Sequence, residues 1–215
     1  MMTTHSQTPA KVAERLGDDE IHVWRLAYDH HQGRAPLLAM LGAYLGLPAE
    51  AVQLEESDHG RPHLAPAHHH GAFAFNWSHS SDQALIAIAR GIVPGVDLER
   101  LRAHPRALPI ARRYFGPEES ASLETLTDGQ RDRAFLELWT AKEAVLKALG
   151  RGLAFGLHRL SIGGLPEAPV LGRLEGHEAD QWQLHRLALD EHHVGALAWQ
   201  GGPRRIRLWT LADDP

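Results

Sequence analysis

Residues Asp128 to Leu149 read DGQRDRAFLELWTAKEAVLKAL, and this stretch decides the class of the fold. At 100° per residue Phe135, Leu138, Trp139, Val145, Leu146 and Leu149 fall on one apolar stripe, which predicts a long amphipathic helix. Gly150 and Gly152 stop it. Glu143 and Lys147 lie one turn apart on the flank of the stripe; as a bare pattern this is a surface ion pair worth about 0.3 to 0.5 kcal/mol. Lys142 projects near the middle of the apolar face, so its stem either snorkels over the core or its amine enters a cleft.

Working outward, Pro105 to Phe115 and Pro117 to Leu126 also read as helices, each opening with a proline where the first turn tolerates it. Ile21 to Leu26 alternates with period two as a half-buried strand. Leu37, Leu38, Leu41 and Leu45 give Ala35 to Leu45 a helical stripe that Gly46-Leu47-Pro48 ends. A strand is predicted near Ala51 to Glu55, then a turn at Asp58 to Pro62. Phe73 to Trp77, Ala84 to Arg90 and Gly95 to Leu98 read as strands, the middle one apolar enough to be central. Strands return at Leu157 to Ile162, Gln183 to Leu189, Val194 to Trp199 and Ile206 to Leu211. The expected fold is α+β: two pseudo-symmetric lobes, each a mostly antiparallel sheet packed with helices, with the active site between them. The expected division is a loose N-terminal tail over 1–20, an N-terminal lobe over 21–100 and a C-terminal lobe over 101–215.

The chain has 215 residues, 43% of them apolar, which suffices for a large core. Its 22 basic and 27 acidic side chains leave a net charge of −5, so neither a nucleic-acid binder nor a polybasic membrane protein is expected. With no cysteine, thiolate metal sites and a cysteine nucleophile are excluded. No apolar run approaches the roughly 20 residues of a membrane span, and no secretory or transit signal opens the chain, so a cytoplasmic protein is expected.

In Gly95-Val96-Asp97-Leu98-Glu99 the two acids stand at i and i+2, on one side of a strand. They can share one cation, and hard carboxylate oxygens are the ligands Mg²⁺ takes; alone, the pattern is more often a solvated strand edge with outward acids.

That segment, followed some forty residues later by Trp139-x-x-Lys142-Glu143-Ala144-x-x-Lys147, resembles the signature pair of the 4'-phosphopantetheinyl transferases. Gly60-Arg61-Pro62, Asn76-Trp77-Ser78-His79-Ser80, Arg113-Tyr114-Phe115 with Glu119, and Gly150-Arg151-Gly152-Leu153 are similar to further motifs of that family, in family order. The length suits its two-lobed, Sfp-like branch. The resemblance implies transfer of the phosphopantetheine arm of coenzyme A to a serine of an apo acyl- or peptidyl-carrier protein, releasing adenosine 3',5'-bisphosphate. It implies Mg²⁺ held by Asp97, Glu99 and Glu143. Glu143 is the leading base, directly or through water, with help from Glu119 open; Glu119 reads equally as a helix N-terminal acid. Lys147 is assigned to the phosphates or the leaving group. Lys142, Arg61, Ser78 and His79 join it on coenzyme A, with Arg34 standing in for a basic segment that is shortened here to Tyr28–Arg34. A monomer suffices in this scheme. A non-catalytic binder of coenzyme A or carrier proteins and a histidine-rich metal-binding protein are the alternatives; for the latter, adjacent histidines such as His30-His31 and His68-His69-His70 are not expected to share one ion.

Overall fold

The structure is a computed structural model, and it describes residues 8–71, 73–165 and 167–211. In chain order it contains α1 (Pro9–Ala13), β1 (Glu20–Ala27), α2 (Ala35–Leu45), β2 (Leu54–Glu56), β3 (Pro62–Leu64), β4 (Phe73–Ser80), β5 (Gln83–Arg90) and β6 (Gly95–Arg100). There follow α3 (Ala107–Tyr114), α4 (Pro117–Glu124), α5 (Asp128–Leu149), β7 (Leu160–Gly163), β8 (Val170–Leu174), β9 (Trp182–Arg186), β10 (His193–Gln200) and β11 (Arg205–Thr210). Among the described residues no helix is long and apolar enough to cross a membrane.

The chain divides into two compact units, 1–94 with 203–215, and 95–202. The expected boundary near Arg100 is therefore displaced at both ends. β6 pairs with β10, so Gly95–Arg100 belongs to the second unit. β11 lies parallel to β1, with Ile206 beside Ile21 and Trp209 beside Trp24, so the last strand returns to the first unit and covers an edge that would otherwise stand open.

The first unit is a four-stranded sheet in the order β11-β1-β5-β4, antiparallel except for the β1/β11 pair. β5 is interior, as its apolar run predicts, and Ala84 through Ala89 are all fully buried. Ala84, Ile86 and Ile88 pack with Trp24, Leu37 and Leu41, which seats α2 on one sheet face. Here His22, fully buried, meets the Tyr44 hydroxyl at 2.7 Å, and Trp24 Nε1 donates to the same oxygen at 2.8 Å. Burial pulls the His22 pKa down despite Glu20 nearby. The loose tail expected over 1–20 is corrected in part: Pro9–Ala13 is helical, and Val12 and Leu16 are buried in this core. Residues 1–7 lie outside the described residues.

The second unit carries α5 against the three-stranded sheet β6-β10-β9, with the hairpin β7-β8 beside it. Phe115, Leu123, Phe135, Leu146, Leu160 and Val194 share its core. α5 spans the residues read from the sequence, and Gly150 ends it in the left-handed conformation, φ 75°. Two strands were not legible. β3 opens with Pro62 on a two-stranded edge, and β8 carries Gly172 and pairs across a bulge at Ser161/Ile162, so neither shows clean alternation.

Candidate active site

The close approach of α5 to β6 builds the site. A Cβ at Gly95 would lie 2.1 Å from the Ala144 carbonyl oxygen and 2.3 Å from Ala148 N, so only glycine fits there, and alanines form the facing stripe of the helix. This contact sets the Glu143–Lys147 flank of α5 beside the acidic strand. Lys147 Nζ donates to Asp97 Oδ1 at 2.7 Å and to the Val96 carbonyl at 3.2 Å. Asp97 and Glu143 are 5% and 8% exposed, and Glu99 is half-buried.

Glu143 Oε1 is buried and has no hydrogen-bond partner. Burial, and then the Asp97 charge, push the Glu143 carboxyl up from 4.5 to about 7, against the opposing pull of Lys147; Glu99 adds to the rise. Asp97 thus pairs with the Lys147 ammonium, the charges of Asp97 and Glu99 both act on Glu143, and a buried oxygen of Glu143 goes unclaimed. Clustered hard oxygen donors, with one buried oxygen of Glu143 unclaimed, fit a divalent ion such as Mg²⁺. Their ligand atoms do not all stand within 4.8 Å of one another; among the described residues that spacing is met by Asp29, His30 and His31. Closing the acids on one ion therefore requires side-chain rotation.

Lys142 and Glu119 are elsewhere engaged, and the roles expected of them are corrected. Lys142 is fully buried and donates to Glu119 Oε2 at 2.7 Å and to the carbonyls of Leu160 at 2.6 Å and Leu157 at 3.0 Å, with the Phe115 ring 5.2 Å away. Glu119 Oε2 also accepts from Gly116 N, and Oε1 from Ile162 N, both at 2.8 Å. Burial pulls the lysine pKa down, and the carboxylate beside it opposes this. The pair ties α4, α5 and β7 together. With both oxygens bonded, Glu119 is a helix N-terminal acid rather than a base, and Lys142 has no exposed surface to offer a ligand.

In the first unit, Arg61 Nη2 donates to the carbonyls of Phe75 at 3.2 Å and Pro94 at 3.4 Å, and burial pulls the guanidinium pKa down. Arg34 pairs with Glu56 at 2.6 Å on the surface. Ser78 is buried in β4, whereas His79 is exposed and stacks on Tyr28, ring centroids 4.6 Å apart, with Trp77 at 5.2 Å. The sequence reading passed over Tyr28; an aromatic residue just past the end of β1 was the available signal. It also passed over the small residues Gly95, Ala144 and Ala148 that bring the site together.

The sequence profile of the 4'-phosphopantetheinyl transferase superfamily matches residues 94–198, the span that holds the acidic strand and α5. The chain is 30% identical to the 4'-phosphopantetheinyl transferase HetI of Nostoc sp. over 97% of its own length and 99% of that protein. The chain belongs to the 4'-phosphopantetheinyl transferase superfamily. It is 32% identical to the 4'-phosphopantetheinyl transferase psf-1 of Bacillus pumilus over 62% of this chain, and 28% identical to the human L-aminoadipate-semialdehyde dehydrogenase-phosphopantetheinyl transferase over 77%. It spans 54% and 59% of those two relatives. The holo-(acyl-carrier-protein) synthase of Bacillus anthracis, solved with coenzyme A, aligns at a TM-score of 0.42 and 18% identity over 51% of this chain and 96% of that one, which is too distant to carry an argument about the site. As a 4'-phosphopantetheinyl transferase, the chain is an enzyme whose profile match covers Asp97, Glu99, Glu143 and Lys147.

Proposed function

We propose that this transferase moves the 4'-phosphopantetheine group of coenzyme A to a serine of an apo acyl- or peptidyl-carrier protein, releasing adenosine 3',5'-bisphosphate, with Mg²⁺ as cofactor. The observation that carries the reading is the buried Glu143 carboxyl, acted on by the charges of Asp97, Glu99 and Lys147, with its Oε1 unclaimed. Asp97, Glu99 and Glu143 would hold the ion. When bound, Mg²⁺ neutralises charge on the pyrophosphate.

The serine oxygen forms a bond to the phosphorus bearing the pantetheine arm, and the bond from that phosphorus to the bridging oxygen breaks. Glu143 is assigned the serine proton at Oε1, the oxygen no protein group occupies. Lys147, already oriented by the Val96 carbonyl, offsets charge on the departing phosphate from a fixed position, so no reorganisation is needed during transfer. His79 and Ser78 keep the coenzyme A assignment that their motif implies, and Arg34 keeps its place as the stand-in for the shortened basic segment. Arg61, with Nη2 on two backbone carbonyls, supports β4 alongside it. A non-catalytic binder is disfavoured, because an acid trio with a buried oxygen unpartnered costs stability and serves no binding role.

The test is intact-mass analysis of a panel of apo carrier proteins incubated with coenzyme A. With Mg²⁺ or Mn²⁺, at least one carrier is expected to gain the mass of one phosphopantetheine; with EDTA, none. Full transfer in EDTA removes the metal assignment, and no transfer to any carrier removes the reaction.

A further inference from the structure

The turn from β1 into α2 holds three donor side chains in succession, Asp29, His30 and His31. Its backbone is fixed from both sides: His31 N–H donates to Asp29 Oδ1 at 2.9 Å, and Asp29 N–H donates to Gln32 Oε1 at 3.1 Å, a capping box on a 3₁₀ turn. In an extended chain neighbouring side chains point apart, the basis for expecting adjacent histidines not to share an ion. The tight turn removes that objection. The two imidazole rings are 3.8 Å apart at their centroids, His30 Nδ1 is 3.3 Å from Asp29 Oδ1, and one ligand atom from each of the three residues lies within 4.8 Å of the other two.

We propose that Asp29, His30 and His31 form a surface site for a borderline divalent transition-metal ion of the Zn²⁺ class, separate from the carboxylate site on β6 and α5. The donor set is two imidazole nitrogens and one carboxylate oxygen, which suits Zn²⁺ and not Mg²⁺, a taker of oxygen ligands. Zinc bonds of 2.0 to 2.2 Å place tetrahedral ligands about 3.4 Å apart, so the side chains close by roughly an ångström. Exposure makes that closure easy, since the His30 and Asp29 side chains are 78% and 61% accessible. Three protein ligands leave the remaining positions to water. Occupancy staples the turn that follows Tyr28, whose ring stacks on His79.

The test is calorimetric titration of Zn²⁺ into the protein in excess Mg²⁺, joined to peptide mapping of histidine acylation by diethylpyrocarbonate. The double variant His30→Ala/His31→Ala is expected to lose one equivalent of Zn²⁺, or to bind it at least tenfold more weakly. Asp97→Asn is expected to retain that equivalent, which separates this site from the proposed Mg²⁺ site. In the wild-type protein Zn²⁺ is expected to protect His30 and His31 while leaving the exposed His59 and His158 reactive. Unchanged zinc stoichiometry and affinity in the double variant, or equal acylation of His30 and His31 with and without Zn²⁺, overturns the proposal.

Discussion

Replacing Glu143 by glutamine should make the metal-free protein more stable at alkaline pH and not at acidic pH. Glu143 is 8% exposed and its carboxyl is raised from 4.5 to about 7, chiefly by burial and then by Asp97. Between those two values the folded chain holds a proton that the unfolded chain has released. Folding stability therefore falls as pH rises through this window, and above about 7 the loss is complete. At about 1.36 kcal/mol per pH unit, the rise corresponds to an upper bound of about 3 kcal/mol. Glutamine keeps the shape, has no charge to bury, and removes that penalty. Urea unfolding in EDTA should show Glu143→Gln ahead of wild type by about 1 to 3 kcal/mol at about pH 8, with the difference shrinking toward zero at about pH 5. Mg²⁺ should stabilise the wild type at the higher pH and the variant much less. If the variant is no more stable than wild type at about pH 8, or its advantage is the same at both pH values, Glu143 is not held against its charge and the electrostatic account of the site fails.

The other residues of the second unit make separate predictions. Lys142→Met leaves Glu119 buried without its cation and should cost about 3 to 5 kcal/mol in urea unfolding; a loss below about 1 kcal/mol would show that the ion pair is not what ties α4 to β7. Lys147→Ala should lower kcat roughly a hundredfold, the scale of losing one preorganised donor to developing charge, and wild-type turnover would return Lys147 to the rank of a surface ion pair. Gly95→Ala drives a Cβ to 2.1 Å from the Ala144 carbonyl, so α5 must withdraw from β6; both Tm and Mn²⁺ affinity, read by electron paramagnetic resonance, should fall, and no change in either refutes the close-contact argument.

The elements that were legible carry their information locally. α5 has its stripe and a glycine stop within one segment, and α2 likewise occupies the residues its leucines and Gly46 mark out. β11 was legible as a strand but not as a partner of β1, because a parallel pairing between residues 185 apart leaves no trace in either strand's pattern. The acids Asp97 and Glu99 and the Glu143–Lys147 flank were visible from spacing, since i,i+2 and i,i+4 place them on one side of their own elements. Their meeting was not, because it depends on Gly95, which contributes the absence of a side chain, against the backbone of the small residues Ala144 and Ala148 of α5.

The same lack of local signal explains why Lys142 and Glu143, adjacent in sequence, were both expected at the site and have opposite surroundings. One residue on an α-helix is a turn of 100°, which moves a side chain from the apolar stripe to its flank. On the stripe, Lys142 is fully buried, yet three oxygens surround its ammonium, so its charge is satisfied and its work is structural. On the flank, Glu143 is less buried but faces two further acids and keeps one oxygen without a donor. A buried charge that the protein satisfies holds the fold together, and one that it leaves unsatisfied marks the candidate site, which is the basis of the role proposed for Glu143. The degree of burial ranks these two residues in the wrong order; the count of partners ranks them correctly, and partners are what a sequence does not show.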